Sequence, residues 1–134
     1  MKKEKTRAWW IKELDSWFSK YIRLKYDKGR CYTCGYVAPW KRLQNGHMVS
    51  RYYLSTRFDE RNCRPQCYTC NMFRKGMIPD FSQRLEKELG DGITKELYKI
   101  AQRITKDFDI QFLQEKVSYY KTEVEGLINK KDVL

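Results

Sequence analysis

At 134 residues the chain has the length of one domain, and its 28 Lys and Arg against 17 Asp and Glu give a formal charge of +11. No apolar run approaches the roughly 20 residues that cross a bilayer, and no apolar stretch follows the charged start Met1–Arg7. Neither a membrane span nor a secretory signal is expected, and a cytoplasmic location with reduced thiols is. Residues 1–76 carry 18 basic and 6 acidic side chains, residues 77–134 carry 10 and 11. A basic front half beside a neutral back half points to a polyanionic partner, nucleic acid before a membrane surface.

The first segment reads as a helix. Trp10, Leu14, Trp17, Phe18 and Tyr21 share one face of a 3.6-residue period, and the stretch Asp27–Arg30, with Gly29, ends it. Residues 31–76 hold all five cysteines, two of the three prolines and the single histidine. Within them, Tyr36–Met48 fits two short strands, and Asn71–Lys75 fits the start of a short helix. Residues 80–90 are helical with Leu85 and Leu89 inward. A turn at Gly90-Asp91-Gly92 leads to a second helix with Ile93, Leu97, Ile100 and Ile104 on one face, broken near Asp107–Asp109. The last helix carries Ile110, Leu113, Val117, Tyr120, Val124 and Leu127 in a heptad-like stripe. That stripe either packs within its own domain, as part of a helical hairpin, or joins two chains in a homodimer. One domain, 1–134, is expected, made of an N-terminal helix (1–29), a cysteine-rich centre (30–79) and C-terminal helices (80–134).

The centre is too rich in turns to pack alone and needs a staple. Cys31-Tyr-Thr-Cys34 and Cys67-Tyr-Thr-Cys70 are two C-x-x-C knuckles with 32 residues between them. Each knuckle sets two thiolates on one side of a tight turn, and two knuckles face to face make the tetrahedral S₄ shell that zinc prefers. A redox pair of dithiols lacks the βαβ context it needs here. Cys63 is left over and reads as a small buried residue.

Gly46-His47, Asn62 and Asn71 lie between and just after the knuckles. His47 stands thirteen residues past the first knuckle, and Asn71 directly follows the last cysteine, so a metal staple would fix it in place. Spacing alone leaves both a catalytic and a structural reading of these residues open.

Several stretches together resemble a known family: Cys31-Tyr-Thr-Cys34-Gly35, Asn45-Gly46-His47-Met48-Val49-Ser50-Arg51, Arg57-Phe58, Asn62-Cys63, Gln66 through Asn71, and Gly76. They resemble the phage NinG/Rap family of recombination nucleases and, more distantly, HNH enzymes. The resemblance implies an α+β, mostly α fold with a small ββα-metal centre stapled by four cysteines. It implies a metal-dependent DNA endonuclease acting on branched recombination intermediates, such as Holliday junctions or D-loops, in a bacterial host's cytoplasm. His47 would be the general base. Asn71 would be a ligand of a catalytic Mg²⁺ or Mn²⁺, and Asn62 would brace the loop and orient His47. Many HNH enzymes have Asp just before the His, where this chain has Gly46. The second metal ligand is then Asp59, or water and DNA phosphate. Arg51, Arg57, Arg61, Arg64, Arg74 and Lys75 surround the motif and are read as DNA contacts. The Tyr and Trp content suits base stacking, but most of these aromatics follow helical spacing, which favours core packing. Two rival functions are a non-catalytic zinc-ribbon DNA-binding protein and a sequence-specific HNH restriction or homing nuclease.

Overall fold

The structure is a computed structural model and describes residues 3–26 and 28–133. Asp27, part of the expected break, and the first two residues of Met1–Arg7 lie outside the described residues. The fold is α+β and mostly helical. Helix α1 (Arg7–Lys25) is followed by strand β1 (Gln44–His47), a single turn α2 (Leu54–Arg57), strand β2 (Cys63–Gln66), and helices α3 (Ile78–Leu89), α4 (Ile93–Ala101) and α5 (Ile110–Val133).

Helix α1 starts where the Thr6 hydroxyl accepts from the Trp9 amide at 3.1 Å, an N-cap worth about 1 kcal/mol. It buries Leu14, Phe18, Tyr21, Ile22 and Leu24 against Leu113, Val117, Tyr120 and Val124 of α5. Asp109 caps α5 by accepting from the Phe112 amide at 2.9 Å. The ring of Tyr120 sits 5.0 Å from Phe18 and 4.9 Å from Tyr21, centroid to centroid. From Leu113 to Leu127 the stripe on α5 is thus covered within one chain, by α1, while Ile110 at its start is exposed. The C-terminal hairpin is formed by α3 and α4 alone; α5 leaves them, because its apolar face matches the aromatic face of α1. Glu60 locks this pair to the centre by accepting from the hydroxyls of Tyr21 (3.1 Å), Tyr26 (3.0 Å) and Tyr120 (3.2 Å).

A second core joins Phe81, Leu85, Ile93, Leu97 and Ala101 of the α3–α4 hairpin to Tyr32, Met48 and Val49 of the centre. Leu89 and Ile104, expected inward, are exposed. Leu89 is the last residue of α3, and Ile104 lies beyond the end of α4 at Ala101.

The two strands pair antiparallel, with Gln44 opposite Gln66, Asn45 opposite Pro65, Gly46 opposite Arg64 and His47 opposite Cys63. Tyr36–Met48 therefore supplies one strand, not two. Its partner is Cys63–Gln66, a polar, proline-containing stretch with little β propensity of its own. Thr69–Phe73, which includes the last knuckle cysteine Cys70, forms a π-type turn where Asn71–Lys75 is expected to start a helix. Lys75, Gly76 and Met77 follow, all at positive φ (51°, 88° and 50°). Two non-glycine residues in the left-handed region cost roughly 1–2 kcal/mol each, so surrounding contacts hold this turn.

Candidate functional site

The site begins at the four cysteines. Cys31, Cys34, Cys67 and Cys70 bring their sulfur atoms within 4.8 Å of one another, and Cys34 Sγ lies 3.7 Å from Cys67 Sγ. A tetrahedral ion with Zn–S bonds of about 2.3 Å sets its sulfurs about 3.8 Å apart, so the cluster fits a metal such as zinc. Its electrostatics agree. Burial opposes ionisation of Cys31, but hydrogen bonds from the backbone around Cys67 and from Thr33 outweigh it and pull that thiol down to about 6. Burial, then the neighbouring thiols, push Cys70 up to about 12. Crowded thiols of this kind ionise together only with a cation among them. Cys63 stays outside the cluster, fully buried, and its burial raises its thiol pKa further.

Strand β1 carries His47 to the wall of a groove of about 850 Å³. Asp15 and Ser19 of α1, Gln44 and His47 of β1, Arg51, and Asn71 and Lys75 beyond the second knuckle all line it. His47 is half-buried, and its Nε2 lies 3.0 Å from the Arg57 carbonyl oxygen. A carbonyl only accepts, so Nε2 carries the proton and Nδ1 keeps its lone pair. Burial lowers the His47 pKa to about 4, helped by the nearby Arg51 and Arg57 cations and opposed by the Arg57 carbonyl and Asp15. The imidazole is neutral at physiological pH.

Asn62 is completely buried. Its Oδ1 accepts from the Val49 amide at 2.8 Å, and its Nδ2 donates to the carbonyls of Val49 (3.0 Å) and Thr56 (3.1 Å). It ties the backbone just after His47 to the turn α2, whose last residue, Arg57, holds the imidazole. Asn71 Nδ2 donates to Gln44 Oε1 at 2.8 Å, which orients the Asn71 side chain on the groove wall.

Gly46 has a steric cause. A Cβ there would stand 2.0 Å from Gln66 Oε1 and 2.6 Å from its Cδ. Gln66 is itself fixed, donating from Nε2 to the Gly76 carbonyl (2.8 Å) and to Thr33 Oγ1 (3.1 Å). The position therefore has no room for the aspartate of many HNH sequences. Asp59 is no substitute: it caps the turn Glu60–Asn62 and pairs with Arg61 at 2.8 Å, and it does not line the groove.

Motif reading missed Asp15, the carboxylate that does line the groove. It pairs with Arg57 through two contacts and with Arg51 at 3.1 Å. It lies 32 residues before His47 on a separate helix, and no local pattern marks it. Among the six basic residues named, Arg51 and Lys75 line the groove, and Arg74 is exposed in the chain next to it. Arg57 is held by Asp15, and Arg61 by Asp59 and Glu96. Arg64 lies in the interior, 2% exposed, where it pairs with Glu88, donates to the carbonyls of Glu60 and Cys63 and stacks on Tyr26 at 4.1 Å. It has no surface to offer a phosphate, so the sequence reading of Arg64 as a DNA contact gives way to an internal tie.

The family described as "Bacteriophage Lambda NinG protein" matches residues 1–130. "Protein ninG" of Escherichia phage 933W and of Salmonella phage P22 are each 26% identical over 93 residues, and that of Escherichia phage lambda is 25% identical over the same length. Those alignments cover 69% of this chain and 46% of each relative, so the chain spans about half the length of the curated relatives it matches. No solved structure matches. No helix among the described residues is long and apolar enough to cross a membrane.

Proposed function

The chain belongs to the NinG family of phage proteins, and on that premise we propose that it is an HNH-like, metal-dependent DNA endonuclease stapled by zinc. One observation carries the reading: a neutral His47, with Nε2 pinned to a carbonyl and Nδ1 unprotonated, shares a groove with Asn71 and with Lys75, which pairs with no carboxylate among the described residues. A purely binding module needs no such base. Nδ1 takes a proton from water as the water oxygen attacks phosphorus and the P–O bond to the leaving sugar oxygen breaks, that oxygen taking a proton from solvent. Asn62 keeps the ring in place through the two backbone segments it joins, and Lys75 and Arg51 hold the phosphate.

Two ions are implied. The four thiolates would hold Zn²⁺, which fixes both the hairpin and Asn71. A hard divalent ion, Mg²⁺ or Mn²⁺, would sit at Asn71 Oδ1 and supply charge stabilisation to the phosphate and the leaving oxygen. The donor chemistry fits such an ion thinly. Asn71 engages Gln44 through Nδ2, which leaves Oδ1 as the oxygen to offer an ion, but the Asp15 carboxylate is held by two arginines, so water and DNA oxygens would complete the shell.

The basic front half supports DNA as the substrate, and the family resemblance supports branched DNA. Incubation with four-way, three-way, linear and single-stranded DNAs, in Mg²⁺ or Mn²⁺ and in EDTA, tests this. Metal-dependent cutting, strongest on the branched DNAs, is expected. Binding without cutting in any metal would instead establish the non-catalytic zinc-ribbon reading, which the missing second carboxylate ligand favours.

A further inference from the structure

The aromatic residues divide in the structure. Trp10, Trp17, Phe18, Tyr21 and Tyr120 pack in the core as their helical spacing indicates, but a second group is at the surface. Phe73 is 75% exposed, Met72 55% and Tyr68 54%. Tyr68 and Phe73 meet edge to face at 5.7 Å, forming an apolar tip on the π-type turn that issues from the second knuckle. The tip is rigidly mounted. The Asn71 amide donates to the Cys67 carbonyl (2.9 Å), Arg74 to Thr69 (2.9 Å) and Gly76 to Cys70 (2.8 Å), so its backbone is tied to two metal-cluster cysteines. The tip also borders the groove: Met72 and Lys75, either side of Phe73, line the wall that carries His47.

An exposed phenylalanine costs solubility and adds no stability, so a backbone-tied one beside the groove calls for an occupant. Its surroundings say which. Met72, Phe73, Arg74 and Lys75 are all exposed in one run, and neither Arg74 nor Lys75 pairs with a carboxylate among the described residues. Aromatic faces interleaved with unpaired cations match a ligand that alternates flat apolar faces with phosphates. In continuous duplex the base faces are hidden in the stack. An apolar wedge reaches them there only by unstacking a base step, at a cost of about a few kcal/mol, whereas an interrupted stack offers a base face without that cost.

We propose that Phe73, supported by Tyr68, stacks on an unstacked base at a strand discontinuity, and so selects branched or gapped DNA for the groove. This rests on the nucleic-acid reading above, in which branched DNA is already the substrate, and adds the side chain that recognises the discontinuity; it does not depend on cleavage. The test is equilibrium binding in EDTA of the wild-type chain, Phe73→Ala and Phe73→Trp to a four-way junction and to linear duplex of equal length, with solution mass measured for each. Stacking on one base is worth about fivefold to 150-fold in affinity. Phe73→Ala should lose that much on the junction and less than twofold on duplex, and Phe73→Trp should restore junction binding. Equal losses on both DNAs, or none, would overturn the proposal. So would a wild-type dimer that Phe73→Ala converts to monomer, since a second copy would then be the occupant. A wild-type chain that binds no DNA ends the nucleic-acid reading and this proposal together. One that binds and discriminates but never cuts ends only the nuclease reading.

Discussion

Gly46→Ala adds a single methyl group and should destabilise the chain by more than any surface change. The new Cβ would stand 2.0 Å from Gln66 Oε1 and 2.8 Å from its Cγ, so Gln66 must leave its present rotamer. Overpacking of this kind costs about 1–3 kcal/mol. Moving Gln66 also breaks its hydrogen bonds to Gly76 O and Thr33 Oγ1, at about 1 kcal/mol each. The sum is about 3–5 kcal/mol, or a fall of roughly 10–20 °C in Tm for a chain of this size. Gln66→Ala removes all three clashing atoms. The double variant Gly46→Ala/Gln66→Ala should therefore be no less stable than Gln66→Ala alone, a coupling of several kcal/mol by urea unfolding of the four proteins. Additivity within about 0.5 kcal/mol, or a Gly46→Ala Tm equal to the wild type's, would refute the steric account of Gly46.

Three other outcomes follow from the site. Cys67→Ser should lose its bound metal by elemental analysis and lose the folded centre by circular dichroism, since structural zinc supplies folding energy directly; full metal content in a folded variant would contradict the S₄ assignment. Asn62→Ala should cost about 2–5 kcal/mol in urea unfolding, because it strands the Val49 amide and two carbonyls in the interior, and a stability within about 1 kcal/mol of wild type would reject its role as the brace. On the proposed mechanism the acid limb of the kcat/KM profile falls near pH 4, because burial depresses His47 and the neutral imidazole survives down to that pH; a limb at 6.5 would reject His47 as the base. The same depression makes the unfolded chain bind a proton first. Its contribution to stability is therefore present above pH 6.5 and lost as the pH falls towards about 4.

Local patterns made the cysteine knuckles, the α3–α4 hairpin and the stripe on α5 legible, because spacing and period are properties of short segments. What failed was non-local. The partner of β1 is Cys-Arg-Pro-Gln, which looks like a loop until Gln44 and Gln66 are paired. Arginine is ordinarily a surface residue, so nothing in the chain marks Arg64 as interior; that depends on Glu88, Tyr26 and two carbonyls converging on it. Asp15 enters the groove only because α1 packs beside β1. The cover for the α5 stripe, at the other end of the chain, was equally invisible to periodicity, which identifies a face and not its partner. Exposed Phe73 and Tyr68 lie outside the helical stripes whose aromatics pack in the core, since the turn that displays them follows from the geometry of the second knuckle.

The central claim is that His47 is the base of a phosphodiester-cleaving groove. It is tested most directly by single-turnover cleavage of a four-way junction in Mg²⁺ or Mn²⁺ by the wild-type chain and His47→Ala, with junction affinity measured for both in EDTA. Loss of cutting by about 10²-fold or more with affinity unchanged is the result expected. Cutting by His47→Ala at the wild-type rate would contradict it.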